Sequence, residues 1–166
     1  TPNMPSDCLK PYSMSKWMGE QVCKLYNQLY KLDTTVLRYF NVYGPREPVK
    51  GQYAPVVGLF KRQHERGEPM TIVGDGTQKR DFTYIDDVVS ANIAAMNQTK
   101  KDFKIYNVGT GKNYSINEIA RLIGGETKFI EERPAEVKET LADISQTCKE
   151  LNWNPKYDLK EMLKRY

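Results

Sequence analysis

Short β-branched and aromatic runs alternate along this chain with longer stretches of helical periodicity, and that alternation restricts the fold more than any other feature. Thr34–Phe40, Thr71–Val73, Phe82–Ile85, Phe103–Val108, Thr127–Ile130 and Val137–Leu141 have strand character and end at turn formers such as Gly44-Pro45 and Gly74-Asp75-Gly76. Between them, Pro11–Tyr30 places Trp17, Val22, Leu25 and Leu29 at helical spacing, and Pro11 suits a first turn. Ala54–Arg66 predicts a second helix closed by Gly67. Asp86 and Asp87 open a third, where carboxylates favour the macrodipole and cap the helix start. Ser115 with Glu118 matches a capping box for a helix ending at Gly124-Gly125, and Ser145–Leu151 and Leu159–Tyr166 predict two short helices. Strands alternating with helices predict an α/β fold in which helices pack on a mainly parallel sheet.

Composition narrows the function. With 166 residues, 39% apolar and 28% charged, the chain has the make-up of one soluble domain. No apolar run approaches the ~20 residues of a membrane span, and the first residues do not resemble a signal peptide, so a cytoplasmic location is expected. Cys8, Cys23 and Cys148 are odd in number and widely spaced, which suggests neither a disulfide framework nor a zinc site. The single histidine, His64, sits in Lys61-Arg62-Gln63-His64-Glu65-Arg66, a run that predicts a solvated helix face, and no metal centre is expected. The net charge of +4 is spread among basic clusters broken by acids. That is not a nucleic-acid stripe, but it suits a small anion such as a diphosphate.

Tyr12 and Lys16 stand one helical turn apart, so phenol and ammonium share a face. A neighbouring ammonium favours the phenolate, which can then take a proton from a hydroxyl. Spacing alone is weak, because a surface lysine beside a tyrosine looks the same. Gly74-Asp75-Gly76 and Gly109-Thr110-Gly111 lack the following glycine of a dinucleotide fingerprint, and no Walker loop is present.

Three segments in order carry a more specific signal: Tyr12-Ser13-Met14-Ser15-Lys16, then Leu37 to Arg46 (Leu-Arg-Tyr-Phe-Asn-Val-Tyr-Gly-Pro-Arg), then Gly74 to Val88 with its central Arg80-Asp81-Phe82. Tyr106 to Gly111, Arg133-Pro134-Ala135-Glu136 and Leu141 to Ser145 add to them. Together they resemble the extended short-chain dehydrogenase/reductase family, in particular its NAD-dependent nucleotide-sugar epimerases. The resemblance implies the C-terminal part of a Rossmann-type parallel sheet plus a smaller α/β substrate-binding domain. It divides the chain into residues 1–43 and 85–110 of the dinucleotide-binding domain, a substrate-binding segment 44–84, and a substrate-binding domain 111–166. It implies Tyr12 as catalytic base with Lys16 as its partner, both also touching NAD, and Tyr39 and Phe40 beside the nicotinamide. Asn41, Arg80 and Arg133 are implied for the diphosphate, Thr71 and Val73 for the base pocket, and Glu136 for the nucleotide ribose.

The implied reaction is C4 epimerisation of a UDP-hexose or UDP-N-acetylhexosamine through a transient 4-keto sugar. A 4,6-dehydratase or a UDP-glucuronate decarboxylase on the same scaffold is an alternative, and a catalytically silent binding or assembly module is another. The resemblance corresponds to the C-terminal half of a family member, whose phosphate loop precedes the segment equivalent to Thr1. The implied partners are therefore that N-terminal half and, for the complete enzyme, a second copy in a homodimer. On its own the chain is expected to be inactive, and the Thr34–Phe40 strand is expected to keep an exposed flank.

Overall fold

The computed structural model describes residues 8, 10–48, 55–99, 102–132 and 136–164. Helix α1 (Pro11–Tyr30) begins with proline in its first turn, where a missing N–H costs nothing. Ser13 closes that end by donating from Oγ to the Lys10 carbonyl at 2.8 Å and accepting the Lys10 N–H at 3.3 Å. Lys31 ends it in the left-handed region at φ +55°. The chain then turns into β1 (Thr35–Tyr39) and β2 (Val42–Tyr43), followed by α2 (Val56–Glu65) and β3 (Met70–Val73). Two short strands, β4 (Lys79–Asp81) and β5 (Thr83–Tyr84), lead straight into α3 (Ile85–Met96) and then β6 (Lys104–Val108). The remainder is β7 (Asn113–Ser115), α4 (Ile116–Ile123), β8 (Thr127–Ile130), α5 (Ser145–Leu151) and α6 (Leu159–Leu163).

Strands pair as β1 with β6, β2 with β5 and β3 with β8, all parallel, while β4 and β7 are antiparallel. The expected parallel α/β architecture is therefore present. Val36 lies opposite Ile105 and Arg38 opposite Asn107, which brings the C-terminal ends of β1 and β6 together. Side chains alternate across β1: Arg38 reaches α1, donating to Glu20 from Nε and Nη2 at 2.7 Å each, so Leu37 and Tyr39 face the opposite layer. Helix α3 lies there, and its Val88 and Ala91 join Tyr106, Val108, Leu151 and Trp153 in one buried cluster. A larger cluster around Phe60, Met70, Ile72, Phe82, Ile119 and Leu159 holds α2, α4 and α6 against β3. Each large side chain so buried contributes ~1.5–3 kcal/mol.

Several expectations change. Val137–Leu141 is not a strand: only Glu139 bridges, to Lys79, and Val137 and Leu141 are exposed. Phe82–Ile85 contracts to Thr83–Tyr84, because Ile85 already opens α3. Asp87 does not cap α3. Its buried carboxylate accepts the N–H groups of Lys156 (2.9 Å) and Tyr157 (3.1 Å), tying the segment before α6 to α3, and burial holds its pKa above the usual carboxylate value. The run from Lys61 to Arg66 is not uniformly solvated either, since Gln63 is buried. The Ser115 and Glu118 capping box forms as expected, with Glu118 N–H donating to Ser115 Oγ at 3.1 Å and Ser115 N–H to Glu118 Oε2 at 2.8 Å. The start of the second helix at Ala54 and the last two residues of Leu159–Tyr166 lie outside the described residues.

Candidate active site

Tyr12 and Lys16 sit in the first turns of α1, with Lys16 Nζ 5.4 Å from the centre of the Tyr12 ring. The tyrosine is 73% exposed. Neither side chain has a hydrogen bond among the described residues, so the hydroxyl and ammonium are both open to a ligand. That arrangement can hold a ribose or sugar hydroxyl between a proton acceptor and a cation.

The second half of the site is built where β1 ends. Asn41 makes the bend into β2 at φ +30°, a left-handed geometry that asparagine tolerates better than most residues. Its Nδ2 donates to the Asp81 carbonyl at 2.8 Å and, less closely, to Thr140 Oγ1 at 3.4 Å. Beside it opens a cavity of about 390 Å³ whose lining includes Asn41, Thr71, Val73, Arg80 and Glu136. Five sequence-predicted binding residues, spread from Asn41 to Glu136 along the chain, thus converge on one space. Arg80 projects from β4 and is held there, with Nη1 donating to the Lys79 carbonyl at 2.8 Å and Nη2 to Glu136 Oε1. Arg133 lies outside the described residues.

Tyr39 and Phe40 take different places. The Tyr39 hydroxyl donates to Asn92 Oδ1 of α3 at 3.0 Å, so its ring turns to the face of the sheet opposite α1 and does not join Tyr12 and Lys16. Phe40 is half-buried, its N–H donating to the Val108 carbonyl at 3.0 Å and its carbonyl accepting Thr83 Oγ1 at 2.8 Å.

Two site elements escape sequence reasoning. Asp81 is fully buried, and its carboxylate accepts four bonds: from Thr110 N–H (2.9 Å), Thr110 Oγ1 (2.7 Å), Gly111 N–H (3.0 Å) and Ala142 N–H (3.1 Å). The same residue that receives Asn41 on its carbonyl therefore fixes the Gly109-Thr110-Gly111 turn and the segment at Ala142. Gln63 and Gln78 are the other pair, and both grip β3. Opposite Arg80 in the β4–β7 ladder, Tyr114 is committed to structure. Burial and the Asp158 carboxylate push the Tyr114 phenol up to about 12, and it donates to Asp158 Oδ2 at 3.1 Å.

Parallel strands flanked by helices, with a tyrosine and lysine one turn apart on the first helix, define a Rossmann-type α/β protein of the short-chain dehydrogenase/reductase class. The profile of the NAD dependent epimerase/dehydratase family matches residues 1–109, and the chain belongs to that family. It is 41% identical over 169 residues to a putative UDP-glucose 4-epimerase of Methanocaldococcus jannaschii, covering 98% of this chain and 54% of the relative. To a UDP-glucuronate 4-epimerase of Thermodesulfobacterium geofontis it is 42% identical over 164 residues, covering 95% and 49% respectively. The fold superposes on a crystal structure of UDP-glucuronic acid 4-epimerase from Bacillus cereus in complex with UDP-glucuronic acid and NAD. That match has a TM-score of 0.90 and 33% identity, over 99% of this chain and 53% of the other. The chain thus spans about half the length of the curated relatives it matches.

Proposed function

We propose that this chain binds a nucleotide sugar and carries the proton-transfer pair for inverting its C4 carbon. The observation that carries the reading is the convergence of Asn41, Thr71, Val73, Arg80 and Glu136 on one cavity. A guanidinium and an amide in its lining suit a diphosphate, which accepts from both, and Glu136 suits ribose hydroxyls. The cavity, at about 390 Å³, lies in the range of small-ligand sites.

Tyr12 and Lys16 fit NAD, because an open phenol and ammonium on one helix face match a nicotinamide ribose and the sugar hydroxyl beside it. Bound there, NAD would supply the hydride acceptor for the sugar carbon and, once reduced, the donor that restores it. Tyr12, as phenolate, takes the C4 hydroxyl proton and later gives it back. Lys16 stabilises the phenolate charge and positions the ribose. Arg80 and Asn41 hold the diphosphate while the sugar ring turns between the two transfers, so binding energy resides in the part that does not react.

These 166 residues contain no glycine-rich dinucleotide loop, so nucleotide binding is expected from the chain alone and turnover only beside a segment that supplies one. The test is two-part. Calorimetry with UDP on the purified chain should show binding that Arg80→Ala weakens. Joined to the upstream half of the Bacillus cereus relative, the chain should interconvert a UDP-sugar with its C4 epimer by proton NMR, and Tyr12→Phe should slow this ~10²–10⁴-fold. A Tyr12→Phe chimera as fast as its parent would overturn the role given to the phenol.

A further inference from the structure

Strand β3 has one paired edge and one open edge. Met70 N–H donates to the Glu126 carbonyl and Gly74 N–H to the Ile130 carbonyl, each at 2.9 Å. In a parallel ladder the residues between them alternate, so Met70, Ile72 and Gly74 serve β8 while the backbone groups of Thr71 and Val73 face away from it. Thr71 and Val73 both line the large cavity. Four groups stand on this edge: the N–H and C=O of each residue.

Two of the four are already taken by side chains. Gln63, buried on α2, accepts the Thr71 N–H on Oε1 at 3.1 Å and donates from Nε2 to Thr71 Oγ1, also at 3.1 Å. Gln78 donates from Nε2 to the Val73 carbonyl at 2.8 Å. Among the described residues this leaves the Thr71 C=O and the Val73 N–H, one acceptor and one donor, side by side toward the cavity.

We infer that Gln63, with Gln78, is a positioning residue for nucleobase recognition: by occupying the outer groups of the β3 edge it reserves the Thr71 carbonyl and Val73 N–H for the imide edge of a uracil-type base. The inference rests on the nucleotide-site reading above and deepens it. A uracil presents an N–H flanked by carbonyls, so its N3–H meets Thr71 C=O while a neighbouring oxygen meets Val73 N–H. Cytosine has an acceptor at N3 and reaches the same groups only by sliding along the strand to present its amine. Without Gln63 the Thr71 N–H becomes a further donor on the edge, and more than one register is open to a base. Gln63 touches no base itself; it acts through the strand it holds.

The experiment compares UDP, CDP and pyrophosphate binding by calorimetry on the chain and its Gln63→Met variant, with amide hydrogen exchange read residue by residue. In the parent, Thr71 N–H should be protected with or without ligand, whereas Val73 N–H should gain protection from UDP but not from pyrophosphate. Gln63→Met should lower UDP affinity about tenfold, the size of one hydrogen bond, leave pyrophosphate unchanged, and narrow the preference of UDP over CDP. A folded Gln63→Met variant with an unchanged UDP to CDP ratio overturns the inference. So does a parent in which UDP fails to protect Val73, a result that holds even if the variant does not fold. A parent that binds UDP no better than pyrophosphate keeps the diphosphate site but removes base reading. A parent that binds neither overturns the nucleotide-site reading itself.

Discussion

Asp81 offers the sharpest test of how the site is held together. Its carboxylate is fully buried and accepts three backbone N–H groups and one hydroxyl, from Thr110, Gly111 and Ala142. Hydrogen bonds to a charged acceptor are worth ~1.5–3 kcal/mol each, but they do not add, and a hole at this position admits water to part of the orphaned set. Asp81→Ala is therefore expected to cost ~3–5 kcal/mol, the range for stripping a buried charge partner, out of a total stability of ~5–15 kcal/mol. Asp81→Asn should cost less. Its remaining oxygen can turn to the Gly111 and Ala142 N–H groups and its amine to Thr110, whose hydroxyl rotates to accept. Only the Thr110 N–H is then stranded, for ~1.5–3 kcal/mol. Urea unfolding at fixed pH measures both, as a shift of midpoint at constant slope. An alanine variant within ~1 kcal/mol of the parent, or an asparagine variant as damaging as alanine, would refute the reasoning that the carboxylate acts as a four-bond clamp.

Other expectations follow from single contacts. Arg80→Ala should weaken UDP binding ~10–100-fold, the worth of one charge-assisted hydrogen bond, with Glu136 left unpaired in the cavity wall; titration calorimetry reads it. Ser115→Ala removes the cap of α4 and should destabilise the chain by ~1 kcal/mol in urea unfolding. The Ser115 N–H and hydroxyl hold the Glu118 carboxyl below its ordinary value of 4.5, so its contribution is fully present above that pH and is lost as pH falls through the lower folded value. Acid unfolding curves of Glu118→Gln should accordingly show a shallower loss below pH ~4.5 than the parent.

The long elements were legible because a pattern repeats along them. Helix α1 has twenty residues of apolar spacing, and α4 carries its capping box in plain view. Strands β2, β4, β5 and β7, at two or three residues, are too short to show an alternation, and pairing to distant partners, not local propensity, creates them. Val137 and Leu141 suggested a strand on composition, yet both side chains stay exposed and only Glu139 finds a bridge. Asn41, Arg80 and Glu136, which line the cavity, stand in ordered motifs that single them out in the sequence. Asp81 and Gln63 are not singled out, because nothing local tells a buried carboxylate hub from a surface acid, or a buried glutamine from its charged neighbours. Tyr39 shows the same limit from the other side: its motif was clear, but the parity of the strand sends its ring toward Asn92.

Helix α1 has no buried residue among those described, and it meets the sheet mainly through the Arg38 and Glu20 pair and the bond from Thr34 Oγ1 to the Cys23 carbonyl. The cavity walls, by contrast, rest on Tyr43, Phe60, Ile72 and Phe82, all nearly inaccessible. On warming, α1 should therefore detach well before the cavity walls come apart. Under the proposed function, a chimera carrying this chain would then lose turnover at a lower temperature than nucleotide binding.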